Sequence, residues 1–468
     1  MPELSERKIE IVRTLVEAAP DKIVGGLRQA LAQNANDSVL ATVRLVVEAE
    51  AADRALRNIV LQSVAPLCVG DGTDPRSLVF PARVLACLWR GLRVLAPREM
   101  AAAAKMASII DATPAEHRPP DPSATFDHVT GLAANALRTS QLRDFRQAAE
   151  LCDRARPGGA EMLASCLELA PVLRKASARL PDWLAHPGDE TTAAARLAYK
   201  DAVTISEDAG PRFFEMMAGH LNPSWMVLRI ISAVMDKPTE RYLRDSELGG
   251  FPERVMNDID ATLVAIGKLD PNGGAAAGRA AGKQVELITE QATELELCIE
   301  LTRETGWGQR IVNQKKTLAS VAERHLREAE KLAIAALPTE SGKGRARKAV
   351  PKLSGPPDPA AVTRAMTLLT FSEEVRSCAN YAGFSAAHAK MVEKLGPAID
   401  HYVEDVLDFV RTGDAECVPS AFAYLKVAAD FCQLVRDARA ADLIRRRAAS
   451  ACRGEVAAAP AASADSHA

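Results

Sequence analysis

Three features of the sequence predict an all-α fold. Apolar residues recur every three or four positions along most of the chain, the spacing of a helix stripe. No stretch alternates with period two over strand length between turn signals. The hydrophobic share, 48% of 468 residues, is mostly Ala, Leu and Val, with aromatics at only 4%. Alanine has the best helix propensity and leucine loses little rotamer freedom in a helix, so this balance favours helices over sheets. The expected architecture is an irregular multi-helix bundle or solenoid-like stack, with a helical hairpin and a separate C-terminal helical unit. No fixed repeat of the kind that helical arrays use is present.

The chain is too long for one compact core, so several bodies are expected. Residues 1–112 read as an N-terminal helical subdomain. Ile9, Val12, Val16 and Ala19 share a face before Pro20 ends the helix, and Val24, Leu27 and Leu31 repeat the pattern. Val39 to Val64 trace a long helix or helix pair, Gly70 to Pro75 a loop, and Leu85, Leu88, Leu92 and Leu95 the stripe of the next helix. Thr113 to Pro122 holds four prolines and marks a break.

Residues 124–270 read as a central helical domain. Asn222-Pro223 is a start signal, because Asn caps well and Pro is preorganised for the first helical position. The following segment, Ser224 to Met235, is apolar nearly all round and is expected at the domain's centre, with Phe213, Phe214, Met216 and Met217 packing from the preceding helix. Asp270 to Gly282 is Gly/Ala-rich and reads as a flexible connection. Residues 283–337 read as a helical hairpin turning at Gly306-Trp307-Gly308. Residues 338–359, with five prolines, three glycines and five basic residues, read as a linker. A C-terminal helical bundle over 360–453 and an unstructured Ala/Ser-rich tail over 454–468 complete the chain.

Familiar catalytic motifs are missing. Gly278 to Lys283 has three residues between its glycines where a phosphate-binding loop needs four, then Gln284 in place of a hydroxyl, and no strand precedes it. Gly383-Phe384-Ser385-Ala386-Ala387 lacks the second glycine of a nucleophile elbow, and His388 beside it reads as a helix-surface residue. The eight histidines are scattered. Asp400, His401, Glu404, Asp405 and Asp408 share a helical stretch, but a lone histidine in an acidic helix reads as solvated rather than metal-ligating. No catalytic residue, cofactor or metal is therefore expected.

Nine scattered cysteines (68, 87, 152, 166, 298, 378, 417, 432 and 452) form no Cys-x-x-Cys pair and read as buried free thiols of a reducing compartment. The longest apolar run, Trp225 to Met235, is interrupted by Arg229 and far short of a membrane span. With a polar start at Met1 to Glu10, the cytoplasm is the expected location.

A net charge of −3 gives no whole-surface attraction to nucleic acid or anionic membrane. Two local features remain. Arg229 lies in the apolar helix, and a buried charge needs a partner. It reads as a structural ion pair or an arginine reaching the surface over a buried stem; an anion or partner-carboxylate contact is the functional alternative. Lys343, Arg345, Arg347 and Lys348 of the linker, with Arg445, Arg446 and Arg447 of the last helix, are candidate phosphate contacts, without interleaved aromatics to stack bases. The expected function is a non-enzymatic helical scaffold, adaptor or regulator that binds a protein partner through helix faces. A weak nucleic-acid or anionic-surface binder acting through the basic clusters, and a helical enzyme with a site assembled from distant residues, are the alternatives.

Overall fold

The computed structural model describes residues 5–33, 38–73, 77–112, 123–186, 188–206, 208–235, 238–341, 349–412 and 417–458. The protein is about 80% helical, with 20 α-helices among these residues. The chain divides into two compact units, Met1–Phe251 and Pro252–Ala468.

The first unit holds α1 (Glu6–Ala18), α2 (Asp21–Gln33), α3 (Ser38–Val60), α4 (Val84–Leu95), α5 (Pro97–Ala112), α6 (Ser123–Thr139), α7 (Arg143–Ala155), α8 (Gly159–Ser177), α9 (Leu180–Ala185), α10 (Asp189–Val203), α11 (Ala209–Gly219), α12 (Val227–Val234) and α13 (Glu240–Arg244). The helices expected as separate N-terminal and central bodies share this unit, because α4 packs on α7 and α5 on α6. Polar bonds reinforce that union. The Ser63 hydroxyl donates to the Ala170 carbonyl and Arg174 Nη2 to the Val60 carbonyl. The expected break at Thr113–Pro122 lies outside the described residues.

The centre of this unit is α8, not the segment 224–235. Leu163, Ala164, Cys166, Leu167, Leu169, Ala170, Leu173 and Ala176 of α8 are all buried, and α6, α7, α10 and α11 pack around it. Its alanines carry little hydrophobicity, yet they let neighbours approach from every side. By contrast α12 buries Val227, Leu228, Ile230 and Ile231 but leaves Arg229 exposed. A short 3₁₀ turn over Ser224–Met226 precedes it. Phe213, Phe214, Met216 and Met217 of α11 are fully buried.

The second unit begins inside α14 (Gly250–Gly267) and continues with α15 (Gly274–Cys298), α16 (Gly306–Ala336), α17 (Pro359–Glu374), α18 (Ser385–Thr412), α19 (Val418–Val435) and α20 (Ala438–Ala458). Side chains of α16 reach the carbonyls of α14: Gln314 Nε2 donates to Met256 at 2.8 Å and His325 Nε2 to Ile266 at 3.0 Å. The expected flexible connection up to Gly282 is instead largely the first turns of α15. Its glycines mark where α17 lies closest: a Cβ on Gly278 would collide with the Thr367 carbonyl oxygen, and one on Gly282 with Glu374 Cβ. The lack of a side chain serves close backbone approach there rather than flexibility.

α17 packs against both α15 and α16, and these two, expected to fold on each other as a helical hairpin, each meet α17 far more extensively than they meet one another. The helices after the linker thus complete one unit with those before it. The linker itself contains the only strand pair among the described residues, β1 (Thr339–Ser341) and β2 (Ala349–Pro351), antiparallel with Thr339 opposite Pro351. Leu353 just beyond is buried. No described helix is long and apolar enough to cross a membrane.

Candidate functional site

The residues singled out in the sequence do not converge. Lys343, Arg345, Arg347 and Lys348 lie outside the described residues. Arg229 is exposed on α12 of the first unit. In the second unit, Arg447 makes a bidentate pair with Glu404 at 2.5 and 2.6 Å. Arg445 pairs with Asp430 and Asp442, each at 3.0 Å, and Arg446 is exposed. Two of the three arginines are thus matched to carboxylates on neighbouring turns or helices. The acidic run around His401 is likewise dispersed: Asp400 pairs with Arg436, Glu404 with Arg447, His401 with Asp405 and Asp408 with Arg411. No group of three or more His, Cys, Asp or Glu side chains among the described residues is placed to hold a metal ion. His388, expected on a helix surface, is buried, with Nε2 donating to the Ser372 carbonyl.

The most developed cavity is a cleft of about 880 Å³ in the first unit. It begins where Pro20 separates α1 from α2. The last carbonyls of a helix have no intrahelical donor, and here Arg54 of α3 supplies one. Arg54 Nη2 donates to Val16 at 3.1 Å and Glu17 at 3.4 Å, and Nη1 to the Ala19 carbonyl at 2.9 Å and the Asp21 carboxylate at 2.6 Å. Arg54 Nε takes Glu50 at 3.2 Å, which occupies all five donors of the guanidinium. Glu50 also accepts from Arg57 Nη2 at 2.9 Å, so one buried carboxylate serves two arginines.

Glu17 does the same for α4. It is buried and accepts from Arg83 Nε at 3.1 Å and from Arg90 Nη1. Burial raises its pKa, and the two guanidinium groups work against that rise. Glu17 and Arg57 line both the large cleft and a neighbouring one of about 260 Å³, and so form the wall between them. The Arg57 side chain is only 4% exposed and its Nε has no hydrogen-bond partner.

The cleft's remaining chemistry is quiet. His220 faces it and donates through Nε2 to the Ser63 carbonyl at 3.1 Å; burial lowers its pKa, which keeps the ring neutral near pH 7. Burial also drives the Cys68 thiol well above its ordinary value, which removes the thiolate that a nucleophile needs. Acid, base and thiol side chains are present, and apart from Arg57 Nε the charged groups described above spend their donors and acceptors on one another and on helix ends. Such an arrangement ties the end of α1 to α3 and α4.

Sequence reasoning missed Glu17, Glu50, Arg54 and Arg57. Glu50, Arg54 and Arg57 stand at helical spacing, but charges so spaced ordinarily decorate a solvated face. Nothing local distinguishes a stripe turned inward. No known protein family, curated protein or solved structure matches the chain.

Proposed function

We propose that the protein is a non-enzymatic α-helical scaffold or adaptor that binds a protein partner through helix faces. One observation carries this reading: the first two helices leave large apolar side chains in water at helical spacing. Ile11 and Leu15 of α1 are 54% and 65% exposed, and Ile23 and Leu27 of α2 are 53% and 40% exposed. Spacing of four places each pair on one face. α1 and α2 both pack on α3, and their contribution to its small cluster centres on Val16 and Val24. Helices that hold large apolar side chains out in water suit a partner's hydrophobic groove or helix.

The internally spent charges of the cleft support a binding role over catalysis. The pairing of Arg445 and Arg447 leaves little free charge there for phosphate. The cytoplasm is part of the same proposal, supported by the free cysteines, most of them buried.

The double substitution Leu15→Glu with Leu27→Glu tests the reading. Both side chains are exposed, so the thermal transition is expected to stay within a few degrees of the parent. A protein recovered stoichiometrically with the parent chain from its native cells is expected to be lost from the variant. Retention of that protein by a folded variant sinks the proposal for this face. Catalytic turnover that depends on Glu17 or His220, with the fold intact, favours the enzyme reading instead.

A further inference from the structure

Charge is sorted around the first two helices. On α1, Arg7 and Lys8 stand one turn before Ile11, and Lys8 two turns before Leu15, so exposed cations and exposed apolar residues share a face. Glu6 and Glu10 lie further round the helix, and Glu10 is held by Arg13. On α2, Lys22 precedes Ile23 and Arg28 follows Leu27, which sets a cation on either side of that exposed apolar pair.

The other carboxylates of these helices are spent elsewhere. Glu17 is buried against Arg83 and Arg90, and Asp21 pairs with Arg54. Arg7, Lys8, Lys22 and Arg28 are all exposed, and none of them makes an ion pair among the described residues. The surface that α1 and α2 turn to water is therefore apolar and cationic together, although the whole chain carries a net charge of −3.

We propose that the outward face of α1 receives an acidic amphipathic helix of a partner protein. The partner's apolar stripe packs on Ile11 and Leu15 while its flanking carboxylates meet Arg7 and Lys8; α2 offers the same chemistry around Ile23 and Leu27. The proposal rests on the protein-docking reading and names the partner's chemistry. Two other occupants fit less well. A second copy related by a two-fold axis would set this face against itself, cation opposite cation. An anionic bilayer would meet a molecule of negative net charge, on helices without the aromatic residues that interfacial helices bring.

The full chain is titrated by fluorescence anisotropy with a labelled, stapled synthetic helix that carries leucines at helical spacing and glutamates on either side of them. The same helix with lysine at each glutamate is the control, and phosphatidylserine vesicles are tested by co-sedimentation. Saturable binding of the glutamate helix is expected, weakening as salt is raised, with the lysine helix bound about tenfold more weakly or worse. Arg7→Glu with Lys8→Glu is expected to reverse that preference; acids suit the first turn of a helix, so α1 keeps its form. Leu15→Glu is expected to remove binding of the glutamate helix. The proposal is overturned if the parent chain does not bind the glutamate helix saturably, or if the charge-reversed chain, with unaltered circular dichroism, still prefers it. Sedimentation with the vesicles that the charge reversal abolishes also overturns it, in favour of a lipid surface. The protein that co-purifies from native cells separates this inference from the reading beneath it. Its loss on Leu15→Glu with Leu27→Glu, but full retention on Arg7→Glu with Lys8→Glu, leaves the docking face standing and removes the acidic partner. Retention by both variants removes the docking face as well.

Discussion

Glu50 neutralises two guanidinium groups from one buried position, and its removal strands them unequally. Arg54 keeps Asp21 and three backbone carbonyls. Arg57 loses the carboxylate that it pairs with among the described residues, while its side chain stays only 4% exposed. An uncompensated buried charge costs about 3–5 kcal/mol, against about 0–1 kcal/mol for an exposed pair. Glu50→Ala is therefore expected to lower the stability of the first unit, read from its urea midpoint, by that larger amount. Adding Arg57→Met to Glu50→Ala is expected to restore much of the loss, because the stranded charge is then gone. A loss for Glu50→Ala below about 1 kcal/mol would show that Arg57 finds water or another acceptor. Arg229, the candidate buried charge of the sequence, has no such leverage from its exposed position.

Among the helices, glycines show how the same substitution changes sign with its surroundings. Alanine in place of glycine inside an open helix gains about 1 kcal/mol of propensity. At Gly131 of α6 an added Cβ would meet nothing within 4 Å, so Gly131→Ala is expected to stabilise by up to that amount. At Gly278 of α15 the same Cβ would press into a backbone oxygen of α17. Overpacking there costs about 1–3 kcal/mol and outweighs the propensity gain. Denaturant unfolding of the two variants checks both signs; a stabilised Gly278→Ala would mean that α17 yields.

These helices also mark what the sequence conveys. Of the stripe Leu85, Leu88, Leu92 and Leu95, the first three are buried and Leu95, at the end of α4, is exposed; such stripes are readable because a branched apolar residue has few other uses. Gly278 to Gly282 reads as a tether in the sequence, since small residues signal flexibility in isolation and close packing only when a partner helix is known. α8 does not stand out as a centre for the same reason: alanine buries well but announces itself weakly.

Across the whole molecule, three histidines set an acid limit on stability. His220 in the first unit and His325 and His388 in the second each donate Nε2 to a carbonyl, and burial lowers the pKa of each from 6.5. The folded state therefore binds fewer protons than the unfolded chain between the lowered values and pH 6.5. Stability is full above about pH 6.5 and falls as the pH drops below it, by at most about 1.4 kcal/mol per pH unit for each histidine. Urea midpoints measured from pH 8 to 5 are expected to fall along that course. His325→Gln keeps an N–H for the Ile266 carbonyl but does not titrate, so it is expected to flatten the slope. A slope unchanged by it would place the acid sensitivity elsewhere. The charge-lined cleft is the least legible part of the protein at this scale, because it is assembled from α1, α3, α4 and the ends of α8 and α11, and no local spacing encodes that meeting.

The β1–β2 pair has a consequence for how the second unit tolerates change. Its base is clamped by the Lys352 amide donating to the Pro338 carbonyl at 2.9 Å, so the strand pair short-circuits the tether between α16 and α17. Loop-closure entropy between these helices is governed by the clamp and the few residues flanking it, and each doubling of the excluded stretch adds only about 0.6 kcal/mol. Length can accumulate between the two strands, as an insertion or a grafted epitope, while the helices on either side keep their registration.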